Sequence, residues 1–364
     1  MNAFLADPRR RTLAVLSAAA LVTLLLAIAV VWQQSSGSDS APARTEFFPG
    51  FAHEVRHAAH IHVVSKSDSF DVVFVPEKGW VVPQRGNYPA SFDLVQRTLV
   101  GLAALQTIEP KTARPEWFHF VDLDTPPKGN GVLIAIADDK GKELASLIAG
   151  KSEDIGDPTG ATGLFVRRPN EEQSWLTRSV LDPRPALADW LDKTVLDIDR
   201  SRIRAVDVTP ANNAPVYSVQ RMDPSKPDFT FTSLPPGKTA SDPTIPDGVA
   251  ADITGFGFDD VQPASNLDFS GSNVAHVTTL TFDGVKVTVN VLRSGADYWA
   301  TIQADTDPTK PDAAKEVSSI NAHAAGWAYK LPAFKGQLFM TTLDDLLKPP
   351  PAPPATPGVP PQQP

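Results

Sequence analysis

The longest apolar segment of the chain runs from Thr12 to Trp32, directly behind three arginines at positions 9–11. It carries no charged residue. At about 1.5 Å per residue, a helix of this length would extend about 32 Å, which is enough to cross the hydrocarbon core of a bilayer. A secretory signal has a shorter apolar stretch of about 7–15 residues. We therefore predict an uncleaved membrane anchor at residues 12–32, and a cleaved signal is the alternative.

The charges beside this segment predict its orientation. Arginines precede it, whereas the residues that follow closely are neutral or acidic. Because positive charge is retained on the cytoplasmic side of a membrane, the short N-terminus should stay in the cytoplasm. The large C-terminal part is then predicted to be exported, after a polar linker over residues 33–46.

From residue 47 onward, apolar positions occur in short runs rich in β-branched and aromatic residues, which is typical of strands. In the first half of the exported part these runs are Ile61–Val64, Phe70–Val75, Trp80–Val82, Val132–Ala137, Glu143–Ile148, Gly163–Arg167 and Ser174–Leu176. Between them, apolar residues recur at helical spacing from Ser91 to Leu105. This spacing predicts a helix with Ser91 as its N-cap.

The second half repeats features of the first in the same order. The strand pattern of Ile61–Val63 returns at Val206–Val208, and a second hairpin is predicted around Asp283-Gly284. The W-x-x-K sequence that begins at Trp190 returns at Trp327. We therefore predict a duplicated unit of about 150 residues. A helix over residues 311–325 is the main departure in the second copy.

Together these patterns predict an α+β fold: an N-terminal transmembrane helix followed by two duplicated, mainly antiparallel-sheet units, each with a packed helix. The predicted divisions are a cytoplasmic N-terminus at 1–11, the anchor at 12–32, the linker at 33–46, a first unit at 47–199, a second unit at 200–347 and a proline-rich tail at 348–364.

The tail contains nine prolines among its last 16 residues. It is predicted to be disordered and extended, because such a composition cannot build a core. A solvated spacer, a docking peptide for an aromatic groove and an arm that spans the cell wall are the three interpretations.

Composition narrows the possible functions. The chain carries 33 basic and 42 acidic residues, a net charge of −9, and no cysteine. An acidic chain without clustered lysine and arginine is poorly suited to nucleic acid, which we exclude as a partner. Without cysteine there are no disulfides, thiolate metal sites or cysteine nucleophiles.

One literal H-E-x-x-H motif is present at His53-Glu54-Val55-Arg56-His57. On a helix this spacing places two imidazoles on one face, and the glutamate polarises a zinc-bound water, as in zinc peptidases. However, Pro49-Gly50 lies just before the motif and a predicted strand follows it, so little room is left for a rigid helix. We predict solvated surface histidines; an exported zinc metallopeptidase that uses His53, Glu54 and His57 is an alternative.

Other candidate motifs also favour structural explanations. Pro236-Gly237-Lys238-Thr239 ends like a phosphate-binding loop but lacks its first glycine, which predicts a surface turn. Adjacent carboxylates such as Asp259-Asp260 point apart and are predicted to be solvated. Exposed tryptophans would suit a glycan- or peptidoglycan-binding module, the second alternative function, but Trp190 and Trp327 recur at matching places, which favours packing. No catalytic, metal or cofactor-binding residue is assigned.

Four segments are distinctive: Glu109–Glu116, Val166–Pro169, Ser174–Leu176 and Asp189–Asp192. Together they resemble an uncharacterised bacterial domain-of-unknown-function family of membrane-anchored exported proteins. The resemblance covers residues 45–200 well and extends diffusely to 347. It implies a location in the bacterial inner membrane with a periplasmic body. Relatives are often linked to gliding-motility-type ABC transport systems, which implies an accessory role in the envelope.

We therefore expect a non-catalytic accessory or interaction protein of an envelope or ABC-type transport assembly. Its expected partners are the lipid bilayer, through residues 12–32, and an envelope protein such as an ABC-type transporter.

Overall fold

The computed structural model describes residues 45–307 and 310–348, which form two large antiparallel sheets. The strands of the first sheet are β1 (Ala58–Val64), β2 (Ser69–Val75), β3 (Gly79–Val82), β4 (Tyr88–Pro89), β5 (Gln106–Pro110), β6 (Val132–Asp138), β7 (Glu143–Glu153), β8 (Thr162–Arg167) and β9 (Ser174–Ser179). They lie in the order β4-β3-β2-β1-β6-β7-β8-β9-β5. Burial alternates along β1, as the period-two pattern of the sequence predicts.

The strands of the second sheet are β10 (Ile203–Thr209), β11 (Tyr217–Gln220), β12 (Thr230–Phe231), β13 (Asp260–Pro263), β14 (Val274–Thr281), β15 (Val285–Ser294), β16 (Asp297–Thr306) and β17 (Trp327–Leu331). They lie in the order β12-β11-β10-β14-β15-β16-β17-β13. The two orders can be aligned strand by strand, from β12 on β3 through β10 on β1 to β13 on β5. The edge strand β4 of the first sheet is then the one strand without a counterpart in the second sheet. The predicted boundary at residue 199 falls between β9 and β10, but the domain limits themselves stay a prediction.

The helices are short. They are α1 (Phe51–Glu54), α2 (Phe92–Ala103), α3 (Ile245–Ala251), α4 (Ala314–Ala324), α5 (Ala333–Phe339) and α6 (Leu343–Leu346). The predicted helix after Ser91 is α2, and the Ser91 hydroxyl accepts a hydrogen bond from the Leu94 N–H as its cap. The predicted helix over residues 311–325 corresponds to α4.

The predicted fold class, α+β with a transmembrane helix and one packed helix in each unit, is wrong. The described residues are mostly antiparallel sheet with few helices, because period-two alternation continues through strands as long as β15 and most helical stretches end after one or two turns. Within residues 45–307 and 310–348, no helix is long and apolar enough to cross a membrane. The segment predicted to cross, residues 12–32, lies outside the described residues.

One continuous cluster of buried apolar side chains extends through both sheets. Tyr88 of β4 lies where they meet, with its ring 5.0 Å from that of Trp327 and 6.1 Å from that of Phe258. Beside it, the Arg85 guanidinium donates two hydrogen bonds, of 2.5 and 3.0 Å, to the carboxylate of Asp260. The two sheets therefore share one core.

Candidate functional site: an apolar cavity with a half-buried carboxyl

The H-E-x-x-H motif does not lie on one regular helix. His53 and Glu54 belong to the four-residue helix α1, whereas His57 ends the 3-10 turn that follows it, and all three are exposed. The Arg56 side chain donates a hydrogen bond to Nε2 of His57. Within the described part of the chain, no group of three or more histidine, aspartate or glutamate residues is placed to hold a metal ion.

The remaining candidates from the sequence occupy structural positions. Residues 236–239 form an exposed turn in which Gly237 has a φ of 75°. Asp260 is paired with Arg85 across the two sheets. Trp190 is completely buried and donates a hydrogen bond to the Arg184 carbonyl oxygen, so it is not available to a sugar.

A cavity of about 510 Å³ opens in the second half of the molecule, between α3, α5 and α6. Its apolar lining is formed by Tyr217, Ile245, Val249, Phe334, Leu338 and Leu346. Its polar side chains are those of Thr244, Thr341, Asp252 and Lys335, together with the Tyr217 hydroxyl. A mostly apolar cavity with a few converging polar groups is the usual form of a ligand site.

The local sequence explains why Asp252 lies in this apolar environment. The side chain of Asp242 accepts hydrogen bonds from the N–H and the hydroxyl of Thr244, at 2.8 and 2.6 Å. Helix α3 begins directly after this turn and has Pro246 in its first turn. The helix ends after seven residues at Asp252, whose N–H bonds to the Val249 carbonyl oxygen. Asp252 is thus held at the helix C-terminus by its backbone, while its side chain lines the cavity.

Burial raises the pKa of the Asp252 carboxyl to about 7, and the positive charge of Lys335 opposes this rise only in part. The carboxyl has no hydrogen bond or ion pair with any described residue. Near neutral pH it is therefore part protonated and part ionised. A perturbed carboxyl in a cavity is a feature of functional sites.

Lys335 is buried, and its ammonium group is already bound. It donates hydrogen bonds to the carbonyl oxygens of Thr254 and Gly255, at 3.3 and 2.9 Å. Burial lowers the pKa of Lys335, while the charge of Asp252 acts in the opposite direction. The left-handed backbone of Gly255, with a φ of 56°, turns the chain after α3, and its carbonyl oxygen is one of the two that Lys335 binds.

Helix α5 brings apolar side chains to the mouth of the cavity. It packs so closely on β16 that a Cβ atom added at Gly336 would lie 2.1 Å from the ring of Tyr298. Phe334 and Leu338, also on α5, remain 67% and 46% exposed although both line the cavity. The mouth therefore presents an aromatic and an aliphatic side chain to solvent.

The side chains of this cavity are suited to binding a ligand rather than to catalysing a reaction. The described residues of the lining include no serine, histidine or cysteine, and the lysine among them donates to backbone carbonyl oxygens. Its hydroxyls are bonded internally: Tyr217 to the Thr341 carbonyl oxygen, and Thr341 to that of Gln337. No nucleophile and base are therefore paired at this cavity.

Asp252, Lys335 and Phe334 belong to no motif of the sequence. The one local signal is that Asp252 is the single charged residue within the stretch 248–257, and it marks Asp252 alone. Nothing local in the sequence indicates that a lysine 83 positions later, at 335, packs against the same helix end.

Comparison with known proteins identifies one family. A family described as "Domain of unknown function (DUF4340)" matches residues 80–268, more than half of the 364-residue chain. The match begins in β3, crosses into the second sheet and includes α3 with Asp252. No curated protein and no solved structure matches the chain.

Proposed function

The chain belongs to the DUF4340 family, whose function is unknown, and we propose that it is a non-catalytic accessory protein that binds an envelope protein at the cavity between α3, α5 and α6. The observation that carries this proposal is the exposure of Phe334 and Leu338 at the cavity mouth. Large apolar side chains grouped at a cleft favour a protein–protein contact, because covering them removes apolar surface from water.

The envelope location rests on the N-terminal sequence. Residues 12–32 are uncharged and apolar behind three arginines, which supports attachment to a lipid bilayer with the folded part on the exported side. The resemblance to anchored exported proteins supports the bacterial inner membrane, with a periplasmic body. It also supports an ABC-type transport assembly as the class of partner.

A binding role also agrees with the chemistry of the cavity. Among the described residues that line it, the one ionisable side chain without a partner is the Asp252 carboxyl, whereas acid–base catalysis commonly uses two groups with different pKa values. Attachment to the membrane would favour binding further, because it confines both proteins to one surface and raises their effective concentration.

Site-specific photo-cross-linking in intact membranes tests the proposal. Benzoylphenylalanine is placed at position 334 of the full chain and, as the control, at position 92, where Phe92 of α2 is 68% exposed. We expect one envelope protein to be cross-linked from position 334 and not from position 92. Leu338→Ser should abolish this product, because it removes an apolar contact beside the probe.

Two results would overturn the proposal. One is equal cross-linking from positions 334 and 92; the other is no product from position 334 in cells where the labelled chain still complements a deletion. A chain without residues 1–35 that complements fully would refute the role of membrane attachment while leaving the cavity as a binding site.

A further inference from the structure

The carboxyl of Asp252 is the only polar side chain in the cavity lining without a partner in the described part of the chain. The other four are satisfied within the fold. Tyr217 and Thr341 bond to carbonyl oxygens, Thr244 bonds to the Asp242 carboxylate, and Lys335 bonds to two carbonyl oxygens. Asp252 is half-buried among apolar walls, so its carboxyl is only partly hydrated, and a ligand group that bonds to it is favoured.

This unsatisfied group defines what its ligand must supply. Ionised Asp252 only accepts hydrogen bonds, so the complementary group is a donor, and the strongest donors to a carboxylate are cations. An anionic ligand would be repelled by the ionised carboxylate. The Lys335 ammonium group would offer it little compensation, because it already donates hydrogen bonds to the carbonyl oxygens of Thr254 and Gly255. The apolar walls, such as Ile245 and Val249, require in addition that the cation be carried on a hydrocarbon chain.

Resting on the proposed binding role, we infer that the cavity accepts the side chain of a partner lysine, with its ammonium group on Asp252 and apolar neighbours on Phe334 and Leu338. The four methylene groups of lysine would pass along the apolar lining, which is how such side chains bury their stems. Phe334 and Leu338 at the mouth would contact the residues on either side of that lysine.

Binding of this kind is coupled to proton release. Free Asp252 has a pKa of about 7, and an adjacent ammonium group lowers the pKa of a carboxyl. At pH 6.5 the free site is therefore largely protonated and the occupied site is ionised, so up to one proton leaves on binding. The charged and titratable groups around Asp252 are Lys335 on α5 and Tyr217 on β11, and Tyr217 is in turn influenced by Asp345 on α6.

The test uses n-hexylammonium as the probe, with n-hexanol and hexanoate as matched compounds of the same chain length. Each is titrated calorimetrically at pH 6.5 into the full chain in lipid nanodiscs, against empty nanodiscs. We expect hexylammonium to bind about tenfold more tightly than hexanol, the factor given by one hydrogen bond to a charged group. The titration is repeated in two buffers of different ionisation enthalpy. A released proton is taken up by the buffer, so the observed binding enthalpy should differ between the two buffers.

Matched variants assign the effect to Asp252. Asp252→Asn should remove both the preference for hexylammonium and the proton release. Asp344→Asn, which removes an exposed carboxylate on the neighbouring helix α6, should leave both unchanged. Circular dichroism and thermal unfolding of both variants establish that they fold.

Equal binding of hexylammonium and hexanol, tighter binding of hexanoate, no binding of any probe, or a preference that survives in Asp252→Asn would each overturn the inference. The cross-linking experiment separates it from the proposed function. If a partner is cross-linked from position 334 with equal yield in wild type and Asp252→Asn, the lysine inference fails and the binding role stands.

Discussion

The carboxyl of Asp252 gives the stability of the fold a pH dependence. Its pKa is about 7 in the folded protein and 3.8 as the reference value for an unfolded chain. Between these values the folded state holds a proton that the unfolded state has released, so folding stability falls as pH rises from 4 to 7. The contribution is fully present below pH 3.8 and lost above pH 7.

Asp252→Asn tests this dependence. The amide is neutral at every pH, so the advantage of the variant over wild type in the free energy of unfolding should grow from pH 5 to pH 8, by about 2–3 kcal/mol. Thermal or urea unfolding of both proteins at the two pH values measures the difference. Asp344→Asn should show no such pH-dependent difference from wild type. If Asp252→Asn is less stable than wild type at pH 8, the pH dependence does not arise from Asp252.

At the level of single residues, a motif indicates a functional site only where the surrounding sequence also supports it. His53, Glu54 and His57 match a zinc-peptidase spacing, yet helix α1 ends after Glu54 and the chain enters β1 at Ala58. The residues of the cavity carried no motif, because Asp252 and Lys335 acquire their properties from burial that distant parts of the chain provide.

Among the helices, α5 depends on a glycine for its contact with the sheet. The Tyr298 ring occupies the space that a Cβ atom at Gly336 would need, with 2.1 Å to the nearest ring atom. We expect Gly336→Ala to destabilise the fold by about 1–3 kcal/mol, because one of the two packed elements must move. Since Phe334 and Leu338 lie on the same helix, the cross-link from position 334 should weaken as well.

Gly248 in α3 supplies the matched control. A Cβ atom added there meets no atom within 4 Å, and alanine is the better helix former by up to about 1 kcal/mol. Chemical unfolding should therefore find Gly248→Ala equal to wild type or more stable. Equal stability of the two alanine variants would show that α5 is not packed on β16 as described.

Regular elements were predictable where the apolar pattern is long and clean. Strands β1, β2, β6 and β8, and helices α2 and α4, lie where the sequence predicted them. The pattern did not reveal β4, β12 or α3, because two-residue strands and a seven-residue helix after Pro243 carry too few apolar positions to define a period.

Across the whole molecule, Tyr88 joins the two sheets. It is buried, its ring contacts those of Phe258, Trp327 and Tyr329, and its hydroxyl donates a hydrogen bond to the Asp192 carbonyl oxygen at 2.9 Å. Because one core extends through both sheets, we expect wild type to unfold in a single calorimetric transition.

Tyr88→Ala should lower stability by about 3–5 kcal/mol through the cavity that it leaves, and Tyr88→Phe by about 1 kcal/mol through the lost hydrogen bond. Differential scanning calorimetry measures both. Phe74→Ala, at a half-exposed position of β2, should cost about 1 kcal/mol or less. Two well-separated transitions in the wild-type protein would show that the sheets fold independently.

The sequence by itself determined the strand-rich character of residues 47–347 and the positions of the longer strands and of two helices. These follow from periodicity, which is a local property of the chain. The predicted α+β class was wrong, because only strand pairing over long distances shows how much of the chain joins the two sheets. Tertiary structure alone decided the meeting of α3 and α5, and with it the raised pKa of Asp252, because desolvation depends on residues far apart in the sequence.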